Sequence, residues 1–435
     1  MTQKITYDQC LDAMYVLRRF GIKLGLDIIG DILKALGNPQ DQLRFIHIAG
    51  TNGKGSIAAS LSSILGQAGL RVGLFTSPHL VRFNERIRIN GREIENDHMV
   101  DAYLAVNRAN KGSREATFFE ITMAMAMFEF ARQKVDIAVI ETGMGGRMDA
   151  TNIIQPMVSI ISNISIEHRQ HLGNTIAAIA TEKAGIIKTG APVVTGVRKK
   201  SAIAVIEKAA ARKSTPCYRL GRAFRIRRFK NDRFNYYGLT HTWRDITTSL
   251  VGDHQPENVA LAMVTCELLN AKGFSITEDH VRKGLKKVHW PARLEVVSTD
   301  PLIILDGAHN LAAARKLATY LSTRLADRKI TLVTGILADK PYDAMMAILA
   351  PLADRVIVTR TSSTERALAP EILAQAVRAY APDTVIQPDV ATAIQYAMDT
   401  GGKEDAIVVA GSLYVAGDAI AYLNSERPPD PGDSA

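Results

Sequence analysis

The chain has 435 residues, 47% of them hydrophobic, enough for two sizeable cores because single domains usually stop near ~250–300 residues. Its net charge of +9 is a modest excess that suits anionic small molecules and does not single out nucleic acid as a partner. Three scattered cysteines (Cys10, Cys217, Cys266) have no metal or disulfide spacing, no apolar run reaches the ~18–20 residues of a membrane span, and the N-terminus does not read as a signal or transit peptide. A reduced, cytoplasmic protein with no membrane segment is expected.

The first informative element is a short apolar strand, Phe45–Ala49, running into Gly50-Thr51-Asn52-Gly53-Lys54-Gly55-Ser56 and then an apolar helical stretch. Strand, glycine-rich turn and helix are what a phosphate cradle needs. Glycines let backbone N–H groups approach an anion, the helix N-terminus adds partial positive charge, and Lys54 reaches the outer phosphates. The spacing departs from G-x-x-x-x-G-K-[ST], since Gly50 precedes Gly53 by only three positions and Gly55 separates Lys54 from Ser56. That argues against the motor ATPases and GTPases. An ordinary glycine turn is the plainer alternative.

Further strands are expected at Val72–Phe75, Asp136–Glu141, Val158–Ser162 and Pro192–Thr195, with helical patterns between them, so the sheet should be mostly parallel. Ligands collect at the carboxyl ends of such strands. There stand Ser77, Glu141 and His168, a hydroxyl, a carboxylate and an imidazole able to hold Mg²⁺ against triphosphate oxygens, although Mg²⁺ prefers oxygen and an exposed structural histidine is the plainer reading of His168. Lys183 lies in a largely apolar helical stretch, where a buried ammonium is costly unless paired; a solvent-facing lysine beside Glu182 is the alternative. Tyr218–Leu250 alternates arginines with aromatics and reads as antiparallel hairpins at the edge of the first domain. Asn258, opening a helix, suits either a cap or an adenine contact.

A second strand set follows at Leu302–Leu305, Ile330–Thr334, Val356–Thr359, Thr384–Ile386 and Ile407–Ala410. Asp306, His309 and Asn310 share one strand-end turn and suit ribose and phosphate contacts, and Arg293 is placed to clamp a phosphate from a hinge. The fold class is therefore α/β: an N-terminal P-loop domain with a mostly parallel sheet and a small antiparallel edge sheet, then a smaller C-terminal α/β domain. The expected division is 1–290, a linker at 291–299, 300–424, and a disordered tail at 425–435.

Together, AGTNGKGS, FTSPHLVRFNERIRING, TFFEIT, ETGMGGRMDATN, EHRQHLGNT, EKAGIIK, GDHQPEN, ARLEVV, LDGAHN and AGSLY resemble, in order and over about residues 7–423, the folylpolyglutamate synthase and dihydrofolate synthase family of Mur-type ATP-dependent ligases. The resemblance implies ATP bound by Gly50–Ser56 together with Asn258, Arg293, Asp306 and His309. It implies two Mg²⁺ ions, held by Ser56, Ser77, Glu141, His168 and a carbamylated Lys183, and a monovalent cation. Lys54, Lys183, Arg293 and His309 would carry catalysis, and Phe118, Phe119, Glu120 and Thr122 would line the folate pocket. Glu167 stands where the family usually has aspartate, and Leu311 where proline often follows.

The implied activity is ATP-dependent ligation of L-glutamate to dihydropteroate and reduced folates through an acyl phosphate, by a monomer that performs both reactions. The rival readings are folylpolyglutamate synthase activity alone, a Mur-type ligase for a nucleotide-linked sugar peptide, a polynucleotide-stimulated ATPase using the arginine-rich hairpins, and a nucleotide sensor without turnover.

Overall fold

The computed structural model describes residues 5–17, 21, 23, 25–111 and 114–425, and all of the expected tail at 425–435 except Ser425 lies outside them. Two compact units emerge: residues 1–249 with 255–289, and residues 250–254 with 290–435.

The first unit is built on eight strands: β1 (Phe45–Ala49), β2 (Val72–Phe75), β3 (Ile87–Ile89), β4 (Arg92–Glu93), β5 (Ile137–Glu141), β6 (Pro156–Ile161), β7 (Val193–Thr195) and β8 (Cys217–Arg219). Their order is β4-β3-β2-β5-β1-β6-β7-β8. From β2 to β8 every neighbour is parallel, while β3 and β4 add antiparallel pairs at one edge. The central strands β1 and β5 are buried along their whole length, as continuous apolar runs require when helices cover both faces. In register, Ile48 lies opposite Glu141 and Ala49 opposite Ile161, so the carboxyl ends of β5, β1 and β6 share one edge.

The stretch expected as edge hairpins divides. Its start joins the main sheet as parallel edge strand β8, and the rest forms a separate antiparallel sheet of β9 (Arg225–Arg228), β10 (Phe234–Tyr237) and β11 (Thr242–Ile246), with β10 central. Phe234, Tyr236, Trp243 and Ile246 supply its buried face, and the arginines of β9 stay largely in solvent. The turn after β10 is anchored by Glu267, whose carboxylate accepts from Leu239 N at 2.7 Å and Thr240 N at 2.9 Å.

The second unit holds six strands, β12 (Glu295–Thr299), β13 (Leu302–Asp306), β14 (Ile330–Thr334), β15 (Arg355–Val358), β16 (Thr384–Ile386) and β17 (Ala406–Ala410), in the order β12-β13-β17-β14-β15-β16. Residues 295–299, read from sequence as linker, are thus an edge strand, antiparallel to β13. The Glu-Val-Val-Ser-Thr run is strand-forming and sits one tight turn from its partner. Val251, from the short segment 250–254, packs on this unit's core. Ser425, expected to open the tail, ends the helix Leu413–Ser425. Among the described residues no helix is long and apolar enough to cross a membrane.

Candidate active site

The glycine loop leaves β1 and enters the helix Lys54–Gln67 through Gly53, which caps it at φ +84°. A side chain there would be strained by that backbone and would also meet Asn258, whose Oδ1 lies 2.5 Å from where a Cβ would sit. The loop is laced to the segment after β6. Thr51 N donates to Asn163 O at 2.9 Å, Asn52 N to Asn163 Oδ1 at 3.0 Å, and Ser162 Oγ and Asn163 Nδ2 donate to Asn52 O at 2.7 and 2.8 Å. This lacing fixes the loop conformation before any anion arrives.

The carbonyl of Gly50 is the centre of a four-charge cluster. Lys54 Nζ donates to it at 3.1 Å and Lys183 Nζ at 2.8 Å. Each lysine has its own carboxylate: Glu141 lies 3.8 Å from Lys54, and Glu167 lies 2.7 Å from Lys183. Lys183 is only 1% exposed, so it is not the solvent-facing neighbour of Glu182, which pairs with Arg147 at 2.9 Å instead. Burial, reinforced by Lys54, holds the Lys183 ammonium below its usual pKa even with Glu167 beside it. Burial pushes Glu167 up, but Lys183, Lys54 and His168 outweigh it and keep the carboxyl below the usual range. Glu167 is the principal residue that sequence reasoning noticed only as a departure; its place next to His168 was the available signal.

Ser56 is buried in the first turn of the helix, where its Oγ accepts a 3.4 Å bond from Gln255. Asn258 is inside its helix rather than capping it; its amide donates to Gln255 Oε1 at 3.0 Å, and its carbonyl faces Gly53. Ser77 follows β2 and is half-buried, and Glu141 ends β5 at 5% exposure. His168 is exposed, with φ +43°, just before a four-residue helix. Among the described residues no group of three or more His, Cys, Asp or Glu would hold a metal by itself. Ser56, Ser77 and Glu141 are nonetheless hard oxygen donors on elements of one sheet edge. They fit a Mg²⁺ that shares its coordination with phosphate oxygens.

Around the start of the helix Phe118–Arg132 the four expected pocket residues separate. Phe118 belongs to an aromatic cluster with Tyr15 at 5.9 Å and Phe83 at 6.0 Å, with the Arg86 guanidinium 5.1 Å above its ring. Phe119 packs on Phe75 and presses against Gly143, where a Cβ would lie 2.6 Å from its ring. Glu120 and Thr122 turn inward. Glu120 closes a capping box with Thr117 and takes a two-pronged bond from Arg114 at 2.7 and 3.0 Å, and Thr122 is wholly buried with its hydroxyl bonded back to Phe118 O. Their polar atoms are engaged by Thr117, Arg114 and the helix backbone.

In the second unit, Asp306 ends β13. Its carboxylate accepts from Leu294 N at 3.0 Å and Ala308 N at 2.9 Å; burial pushes its pKa up against the pull of Arg293 and those two donors. Arg293 lies across Gly307, where a Cβ would come within 2.5 Å of Nη1, and His309 Nδ1 meets Gly307 O at 2.8 Å. Asn310 caps the next helix by accepting from Ala313 N at 2.9 Å, so that amide is committed to structure.

A P-loop with a buried lysine–carboxylate cluster on one unit, and on a second α/β unit a strand-end turn carrying Asp306 and His309 with Arg293 across it, fit one class, the ATP-dependent ligases of the Mur type. The Mur ligase middle domain model matches residues 48–266, and the Mur ligase glutamate ligase domain model matches 292–413. The chain is 36% identical to the dihydrofolate synthase/folylpolyglutamate synthase of Bacillus subtilis, covering 92% of this chain and 95% of that one. It is 39% identical to the folylpolyglutamate synthase of Lacticaseibacillus casei, covering 88% and 91%. The structure superposes on the Escherichia coli FolC complex with DHPP and ADP with a TM-score of 0.88 at 28% identity, covering 96% and 98%. The chain belongs to the folylpolyglutamate synthase/dihydrofolate synthase family, and it is an ATP-dependent ligase.

Proposed function

We propose that this enzyme joins L-glutamate to dihydropteroate and to reduced folates, performing both reactions. The observation that carries the reading is the Gly50 carbonyl cluster. Two lysines converge on one carbonyl at the mouth of a preformed anion loop, each with a carboxylate partner. In the proposed reaction the carboxylate of the pteroyl acid attacks the γ-phosphate of ATP and expels ADP. The neutral amine of glutamate then attacks the acyl phosphate carbonyl, the tetrahedral intermediate losing a proton and expelling phosphate to leave the amide. Phosphorylation supplies the leaving group that a bare carboxylate lacks. Lys54 would swing from the loop carbonyls onto the outer phosphates, and Arg293 and His309 would contact phosphate as well. Ser56, Ser77, Glu141 and His168 would hold Mg²⁺, which neutralises phosphate charge when bound. As an ammonium Lys183 is no metal ligand; as a carbamate it becomes one, and its depressed basicity favours the neutral amine that reacts with CO₂. Asn258 faces the loop where adenine would approach. The reading also includes a monomer working in the cytoplasm, a role for a monovalent cation, and a pteroyl ring held near Phe118 and Phe119.

The test is purified protein with ATP, Mg²⁺ and labelled glutamate, offered dihydropteroate or tetrahydrofolate. Incorporation with both supports the bifunctional reading, and incorporation with tetrahydrofolate alone reduces it to folylpolyglutamate synthase. No incorporation with either defeats it. Light scattering on the same sample checks the monomer.

A further inference from the structure

His47 stands in the middle of β1, wholly buried, two residues before the strand ends. The proposed mechanism gives it no part. Its Nε2 lies 2.8 Å from Thr151 Oγ1, and that hydroxyl lies 2.5 Å from Asp149 Oδ1. Asp149 is buried, and its carboxylate also accepts from Thr151 N at 3.0 Å and Met144 N at 2.8 Å. Among the described residues, His47 Nδ1 has no partner.

Proton counting orients this chain. Burial pushes the Asp149 pKa up, but Met144 N on Oδ2 and Thr151 N on Oδ1 already donate to its oxygens, so the acid acts here as the acceptor and takes the single hydroxyl proton of Thr151. The hydroxyl must then accept from His47, which places the imidazole proton on Nε2 and leaves Nδ1 as a bare acceptor. Burial, with Lys188 adding to it, pushes the His47 pKa down to about 3, so the ring stays neutral and keeps this tautomer across the physiological range.

The far end of the chain shapes the turn 143–149. Asp149 holds the backbone N–H of Met144, next to Gly143, which presses on the Phe119 ring at a separation that admits no Cβ. The same turn is pinned on its other side. Arg147 N donates to Glu182 O at 2.7 Å, and Asn152 Nδ2 donates to Arg147 O at 2.9 Å and Gly185 O at 3.2 Å. Two bonds tie this turn to the strand that becomes the phosphate loop: at its start Thr142 N donates to Ile48 O at 2.9 Å, and at its far end the His47 chain reaches Asp149 through Thr151.

We propose that His47 is a positioning residue for the pteroyl-acid pocket, acting through Thr151 and Asp149 to set the Gly143 wall against Phe119. This rests on the folate reading above. The chain couples the strand that leads into the ATP loop to the wall that meets the other substrate, without touching either ligand.

The test is Thr151→Val, which deletes both hydroxyl bonds, beside Thr151→Ser, which keeps them. For the valine variant the KM for the pteroyl substrate should rise about tenfold or more, the order expected when two buried bonds are lost, with the KM for ATP held within roughly twofold. The serine variant should restore the wild-type value. Should either variant fail to fold, His47→Phe against His47→Gln repeats the comparison from the other end. A relay that only stabilises the fold would lower Tm and raise both KM values together, and that result overturns the proposal. Nitrogen-15 NMR of the wild-type imidazole must show Nε2 protonated and Nδ1 bare; the opposite tautomer also overturns it. A wild type that turns over neither pteroyl acid defeats the folate reading, whereas an active wild type with no KM split in the valine variant defeats the positioning role.

Discussion

Replacing Glu167 by glutamine removes the only carboxylate hydrogen-bonded to Lys183 in the described structure and leaves an ammonium 1% exposed beside Lys54. Breaking a buried ion pair from one side costs about 3–5 kcal/mol. The lysine's escape is to lose its proton, and that too has a computable ceiling. Relative to an unfolded lysine at 10.5, a native state holding the neutral amine forfeits at most about 4.8 kcal/mol at pH 7 and about 2 kcal/mol at pH 9. The sign follows from proton counts. The folded pKa of Lys183 lies below its unfolded value, so between the two the unfolded chain binds more protons and stability rises with pH. Losing Glu167 lowers the folded value further and widens that window downward. The deficit of the variant should therefore be largest near neutrality and shrink toward pH 9. At pH 7 the first unfolding transition should fall by roughly 6–20 °C, at about 2–4 °C per kcal/mol. Calorimetry in CO₂-free buffer at pH 7, 8 and 9 measures it, with CO₂ excluded so that the lysine stays an amine. A deficit under about 1 kcal/mol at pH 7, or one that does not change by pH 9, would refute the account of Lys183 as a buried cation held by Glu167.

Three further outcomes are expected. Gly53→Ala puts a Cβ 2.5 Å from Asn258 Oδ1 at φ +84°, so ATP affinity should fall, and the strain should lower stability by about 1–2 kcal/mol or more; fluorescent-nucleotide titration and urea melts read the two effects. Lys183→Ala should abolish ligation, with partial recovery when a short carboxylic acid is added; full activity without rescue removes Lys183 from the mechanism. Glu267→Ala releases the backbone of Leu239 and Thr240 and should cost about 1–3 kcal/mol in urea while leaving kcat within roughly twofold, since that carboxylate serves the small sheet and not the phosphate loop.

Much of this molecule was readable because its strands are continuous apolar runs. Ile137–Ile140 is as buried on the sheet as its composition suggests, and Glu141, the first acid after it, had to fall at the carboxyl edge. The phosphate loop was equally legible, since few structures need three glycines, a lysine and a serine in seven residues. What was hidden depended on rotation about helices. The spacing of Lys183 and Glu182 does not say which one faces the core; the structure turns Lys183 inward to Glu167 and Glu182 outward to Arg147. Glu120 and Thr122 share a motif with Phe118, yet two serve the helix while the aromatic joins a ring cluster. Here a signal was present, because Thr117 three residues before Glu120 is a capping box. Asn310 three residues before Ala313 is a capping position of the same sort. The strand at 295–299 was obscured by its position, since a short polar-ended run beside a proline reads as a connector until its partner β13 is placed.

The pentapeptide Leu250–His254 carries a consequence for how this protein can be divided. It belongs to the second unit, yet first-unit chain flanks it on both sides, so the backbone crosses between units three times. A gene fragment starting at Trp290 would omit it, uncovering the patch of core that Val251 seals and losing the packing of Gly252 on Leu294. The C-terminal unit is therefore not a cassette that cloning or recombination can lift out at one cut. Its earliest-made piece leaves the ribosome before the last 35 residues of the first unit, so the smaller unit cannot be finished until the larger one has been fully synthesised.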